Sequence, residues 1–425
     1  MSSDKPLSPG EETVPEDPAT TRAPEPGPSA GDSRWGTALR DIVGGSVVIS
    51  VLSVLLGLLA GAVLIAVTDD RVQATSAYFF SRPSDMLGAI WTAVSGGYIS
   101  LFEGSIYNAG ASSFATAIRP LTETLAAATP LIAGGLGVGL GFRVGLFNIG
   151  GQGQMLIGAI FAGWLGFSLH LPPGIHLAVA ILGGLLGGAI WAGVAGVLKA
   201  RTGAHEVILT IMLNYIAVYL LLYLLSTKGL LQAPGSNNPK TPAMLPTAVL
   251  PKILGDRYDL NVGFILVIAA TVFTWWLLSR SSLGFQFRAV GENPNAARVA
   301  GINVPRTYIY AMLISGALLG LAAVSQVLGT FPGGFSTGID AGIGFDAITV
   351  ALLGRSRPGG IFIAGLLFGA LKSGSYLMQA ANDIPIDIVL VVQSLIVLFI
   401  AAPPLVRAIF RLPTPGARRR IAKEA

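Results

Sequence analysis

Residues 42–67 read Ile42-Val-Gly-Gly-Ser-Val-Val-Ile-Ser-Val-Leu-Ser-Val-Leu-Leu-Gly-Leu-Leu-Ala-Gly-Ala-Val-Leu-Ile-Ala-Val67, without a single charge. About 20 apolar residues cross a bilayer core as a helix, and hydrocarbon accepts only backbone that bonds to itself. The run therefore reads as a spanning helix. It exceeds the apolar core of a signal peptide and has no basic lead-in at the N-terminus. Upstream, residues 1–40 are rich in Pro, Ser, Gly and acids, with Pro6, Pro9, Pro15, Pro18, Pro24, Pro26 and Pro28. They offer little to bury and read as a disordered cytoplasmic tail.

Downstream the pattern repeats. Of the 425 residues 52% are hydrophobic and only 12% charged, too little charge to cover a soluble surface of this size. Further apolar runs cover 121–142, 147–169, 176–198, 207–226, 261–279, 307–329, 342–354, 361–378 and 386–406. The expectation is an all-α polytopic membrane protein of about ten transmembrane helices, over residues 41–408. The 342–354 run is too short to cross and reads as a half-helix held inside protein. A basic cytoplasmic tail covers 409–425. With both termini cytoplasmic, nineteen of the 27 Lys and Arg fall inside and seven outside, Lys372 lying within a span. That bias supports the orientation in a cell membrane. Basic residues punctuate the apolar runs and line no face, so nucleic acid is not expected as a partner. Cysteine is absent, which excludes disulfides and thiolate chemistry.

Small residues recur four apart at Gly137/Gly141, Gly183/Gly187, Gly184/Gly188, Gly316/Gly320 and Gly365/Gly369, the spacing that lets helix backbones approach closely in lipid. Polar side chains inside spans are costly unless partnered or wet. Asn148, Gln152 and Gln154 open the third run; Glu206, Thr210 and Asn214 share one face of the fifth. For these amides, interhelical bonding and lining of a solute path both remain open. Asp346 and Lys372 either neutralise each other as an intramembrane ion pair or meet the solute.

The segment Gly291-Glu-Asn-Pro-Asn-Ala-Ala-Arg-Val-Ala-Gly-Ile-Asn-Val304 lies between two spans on the cytoplasmic side. Asn293 is a helix cap, Pro294 suits the first helical position, and Gly301 ends the helix after about two turns. Such a small-faced surface helix fits a groove in another protein, although a capped loop would look the same.

This segment resembles the coupling loop of the ribose-type and branched-chain-type ABC permease family. The resemblance continues in Ala351-Leu-Leu-Gly-Arg-Ser-Arg-Pro-Gly-Gly360. Two stretches resemble the family's nucleoside branch: Gly141-Phe-Arg-Val-Gly-Leu-Phe-Asn-Ile-Gly-Gly-Gln-Gly-Gln154 and Thr202-Gly-Ala-His-Glu-Val-Ile-Leu-Thr-Ile-Met-Leu-Asn214. His205 departs from that branch, which usually has Asn there. The resemblance implies an importer permease for nucleosides. Its partners would be a separate ABC ATPase subunit, a second permease, identical or homologous, and an extracellular solute-binding lipoprotein. It also implies that Gly291, Asn293, Pro294, Ala296, Ala297, Arg298, Gly301 and Ile302 form the ATPase-coupling element. Asn148, Gln152, Gln154, Glu206 and Asn214 are the candidate substrate path.

No lysine follows a glycine, so a P-loop is missing and ATP hydrolysis must reside in a partner chain. His205-Glu206 lacks the second His of a zinc-protease helix, and no metal, cofactor or catalytic residue is expected. The rivals are a permease for simple sugars such as ribose and an ion-coupled secondary transporter. A membrane-embedded transferase or protease would rest on Asp69-Asp70 alone.

Overall fold

Every one of the ten apolar runs is helical in the computed structural model, which describes residues 46–411. The tail expected over 1–40, and nearly all of that over 409–425, lie outside the described residues. The chain begins with α1 (Ser46–Thr68), α2 (Asp70–Ser76), α3 (Pro83–Ser105), α4 (Phe114–Ala117) and α5 (Arg119–Arg143). Then come α6 (Gly151–Ser168), α7 (Ile175–Thr202), α8 (Glu206–Ser226) and α9 (Gly263–Arg280). Two short helices, α10 (Ser282–Glu292) and α11 (Pro294–Val299), lead into α12 (Val304–Val324), which runs on into a π-helical turn, Ser325–Thr330. The chain closes with α13 (Ile343–Leu353), α14 (Pro358–Asn382), α15 (Ile386–Ala401) and α16 (Pro403–Ile409).

Among the described residues seven helices are long and apolar enough to cross a membrane, or eight if α15 and α16, bent by 95°, form one broken span. The other two expected runs are α6, diluted by Gly and Gln, and α13, with only 11 residues. α13 is thus the expected half-helix. α3 was not expected: its 23 residues mix Asp, Ser and Gly with Trp91 and Tyr98, a composition that reads as an exterior loop. The Tyr98 hydroxyl donates to the Leu58 carbonyl of α1, and Ser373 of α14 donates to the Gly104 carbonyl at 3.1 Å.

Residues Ile49–Arg411 form one compact unit. α5 and α12 are its inner helices, buried along most of their length, whereas α8 and α9 are largely exposed. α7 and α12 cross antiparallel through paired glycines. A methyl on Gly188 would overlap the Gly316 carbonyl, and one on Gly320 the Gly184 carbonyl. α5 meets α14 in the same way, at Ala128 with Gly369 and at Ile132 with Gly365. All five expected glycine pairs therefore sit at helix contacts through at least one member: Gly137 of α5 faces the Ser315 carbonyl, Gly183 and Gly187 of α7 face Leu165 and the Ile157 carbonyl of α6, and Gly184/Gly188, Gly316/Gly320 and Gly365/Gly369 form the crossings above.

Candidate functional site

At the Arg119 end of the bundle, α5, α14, the π-helical turn and the 251–260 loop surround a cavity of ≈ 450 Å³, a size typical of small-molecule sites. α5 contributes Glu123 and Pro130, and the π-helical turn contributes Gln326, Gly329 and Thr330. The wider helical register re-aims these side chains, as π-turns do at functional positions. Phe331 and Tyr376 supply aromatic walls, 47% and 61% exposed. Polar groups alternate with them: Lys252, held by Asp259 at 3.2 Å, and Lys372, which donates to the Ala341 carbonyl at 3.3 Å.

Ala341 and Ile343 form the cavity floor. Here the chain enters the bundle through a run of turns, has positive φ at Ala341 (45°) and Gly342 (78°), and starts α13. The first turn of α13 meets the first turn of α6: Gly344 packs on the backbone of Gly151 and Gln152 with no room for a Cβ. Two helix N-termini thus converge inside the molecule, each carrying partial positive charge. Asp340, buried at 5% exposure, answers them. Its carboxylate stands within electrostatic reach of the Gly342 amide and the Gln152 side chain.

The amides expected along one path are divided by the structure. Gln152 does not line the cavity; it stands beside Asp340, the residue before the lining residue Ala341. Asn148, Gln154 and Asn214 instead form a buried knot around the start of α6. Asn148 accepts from the Gly150 amide at 2.9 Å and bonds Gln154 and Ser315; Asn214 accepts from the Gly153 amide at 2.8 Å and donates to the Ile149 carbonyl at 3.0 Å. Glu206 stands at the opposite end, paired with Lys199 at 2.8 Å. Asp346 stays within electrostatic reach of Lys372, and no ion pair joins them among the described residues. Phe331 and Gln326 escaped the sequence reading because loop and π-turn positions carry no periodic signal, and Tyr376 because an aromatic inside an apolar run does not stand out.

The second site is the α10–α11 elbow at the Arg143 end. The Asn293 side chain accepts from the Asn295 and Ala296 amides, each at 3.0 Å, with Pro294 at the first helical position. Gly301 has φ +83°, and Asn303 caps α12 through the Arg306 amide at 3.1 Å. Ala297 turns inward, packing with Phe287, Val304 and Ile302, while Ala296 and Arg298 face out. Of the two alanines expected on the docking face, only Ala296 is available. Val299, absent from the expected set, is 90% exposed. Gly291 rests on the backbone of Arg143 and Val144, so the elbow sits directly on the end of α5.

A family model described as branched-chain amino acid transport system / permease component matches residues 121–401. The chain is 35% identical over 370 residues to the guanosine ABC transporter permease protein NupP of Bacillus subtilis (strain 168), covering 87% of this chain and 97% of that one. It is 36% identical over 315 residues to the nucleoside ABC transporter permease protein NupB of Lactococcus lactis subsp. cremoris (strain MG1363), 72% of this chain and 85% of that one. A glucose ABC transporter permease protein, TsgB13 of Haloferax volcanii, is 34% identical over 289 residues, 66% of this chain and 75% of that one. No solved structure matches significantly. The membership implies an ATPase and a solute-binding protein as partners. With spans and sequence agreeing, the chain belongs to the family of ABC transporter permease components, a multi-pass membrane transport subunit and not an enzyme.

Proposed function

We propose that this chain moves nucleosides into the cell, with its Arg143 end in the cytoplasm and its Arg119 end receiving solute. The observation that carries the substrate is the ≈ 450 Å³ cavity in which Phe331 and Tyr376 stand among Glu123, Gln326, Thr330 and Lys372. A nucleoside has a flat base, which stacks on aromatic faces, and hydroxyls and ring nitrogens, which need both donors and acceptors. The names of the guanosine and nucleoside relatives support the same class. A second permease, identical or homologous, would complete the pathway, and an extracellular solute-binding lipoprotein would deliver to the Arg119 end. ATP-driven movement enters at the α10–α11 elbow and travels along α5, a single helix that touches the elbow at Arg143 and lines the cavity from Glu123 to Pro130.

A sugar reading has one specific support, the glucose relative. The test is uptake of labelled guanosine by cells carrying the complete transport operon, with unlabelled nucleosides, ribose and glucose as competitors. Nucleosides should compete and both sugars should not. Tyr376→Ala should reduce uptake about tenfold, the loss expected when one aromatic stacking contact of about 1.4 kcal/mol is removed. Competition by glucose alone would move the substrate to the sugar class.

A further inference from the structure

Beside the α10–α11 elbow, a separate cleft of ≈ 550 Å³ opens between the C-terminal turn of α9, α10 and the N-terminal turn of α14. Arg143, Arg288 and Arg357 line it, and no carboxylate does. Glu292 acts electrostatically on Arg143 and is opposed by both other arginines. Arg143 is fixed by donating from Nε to the Ser356 carbonyl at 2.9 Å. Arg288 and Arg357 have no side-chain hydrogen bond or ion pair among the described residues. Positive charge also gathers beside the cleft: burial first, then Arg357 and Arg407, push the neighbouring Arg355 guanidinium below its ordinary value. The backbone of Gly359 and Gly360, in the uncapped first turn of α14, forms another wall.

The remaining wall is apolar. Trp275 lines the cleft, and Ile265, Ile268, Val272 and Trp275 form one exposed stripe at helical spacing along α9, which is long and apolar enough to span. Amphipathic aromatic rings settle at the level of lipid headgroups, and basic pockets there attract anionic lipid.

The geometry points to a binding site for the phosphoryl headgroup of an anionic phospholipid: Arg143, Arg288 and Arg357 hold the phosphate, and the α9 stripe receives an acyl chain. A free phosphate would satisfy the guanidiniums and leave the stripe unused. The site lies outside the solute path and outside the α11 docking face.

The test is native mass spectrometry of the full-length protein in nonionic detergent, counting bound dioleoyl-phosphatidylglycerol against dioleoyl-phosphatidylcholine. Wild type should retain the anionic lipid preferentially. Arg288→Gln with Arg357→Gln should weaken retention roughly thirtyfold, each basic side chain at a membrane surface contributing about a factor of five. The Lys pair, R288K with R357K, should keep most of it, and R306Q, which removes one positive charge away from the cleft, should change nothing. Equal retention of both lipids, or equal losses in R306Q and the Gln pair, would overturn the assignment. So would binding of millimolar inorganic phosphate that the Gln pair abolishes, without retention of the lipid, because the cleft would then serve a free anion.

Discussion

Asn148 shows what a single side chain does in this bundle. It is fully buried, and its carboxamide accepts from Gly150 and Gln154 and donates to Gln154 and Ser315. Asn148→Leu keeps the volume but strands those partners away from water, at about 1–3 kcal/mol for each buried group left unpaired. The expected outcome is a lower yield of monodisperse protein by fluorescence-detected gel filtration, with uptake per folded molecule reduced less than the yield. A normal yield with abolished uptake would instead place Asn148 on the path. Sequence alone marked Asn148, Gln154 and Asn214 as significant because amides in apolar runs are expensive. It did not separate them from Gln152, because the direction of each side chain depends on how α6 starts within the bundle. Phe331 was illegible for a related reason: its position follows from the turn-rich 331–342 segment entering the bundle, which has no period to read.

Helices were the most legible level, and their contacts the next. Apolar length identified all ten runs, including the short α13, since hydropathy and span are fixed by the bilayer. It missed α3 because Ser, Gly and Asp dilute its apolar character while contacts with α1 and α14 hold it. The glycine pairs carried contact information that the structure resolves by position. Gly188 and Gly88 make the contrast measurable. A methyl at Gly188 would overlap the Gly316 carbonyl and the Gly320 backbone, whereas one at Gly88 meets nothing within 4 Å. Gly188→Ala must push α7 and α12 apart, an overpacking cost of about 1–3 kcal/mol. Gly88→Ala should be neutral or stabilising by about 0.5–1 kcal/mol, through reduced backbone freedom in the unfolded chain. Thermal unfolding in detergent should show a lower midpoint for the first and an unchanged or higher midpoint for the second. Equal midpoints would mean the α7–α12 crossing is loose enough to absorb a methyl.

At the scale of the whole molecule, the question is how a solute cavity at one end answers an event at the other. α5 touches both, since Arg143 and Val144 carry Gly291 of the elbow and Glu123 to Pro130 line the cavity; α12 does so as well, packing Val304 on Ala297 and running on into the π-helical turn at the cavity. α5, a rigid link of 25 residues, about 37 Å long, passes displacement from end to end without unfolding. The structure also decides which residue tests the coupling. Ala297→Glu would bury a charge against Phe287 and Val304 and damage the elbow itself, so a loss of activity would say nothing about docking. Val299→Glu is the cleaner change. The residue is 90% exposed at the last turn of α11, and Glu is the better helix former, so folding and insertion should be preserved. If α11 docks in an ATPase groove, the new carboxylate loses its hydration on assembly without a partner. The expected result is at least a tenfold loss of solute-stimulated ATP hydrolysis and reduced co-purification of the ATPase, with unchanged gel-filtration behaviour of the permease alone. Removing a rim charge by Arg298→Gln should cost far less, since exposed pairs contribute about 0–1 kcal/mol. Full stimulation in Val299→Glu would place the ATPase contact elsewhere and leave α11 as a capped connection between α10 and α12.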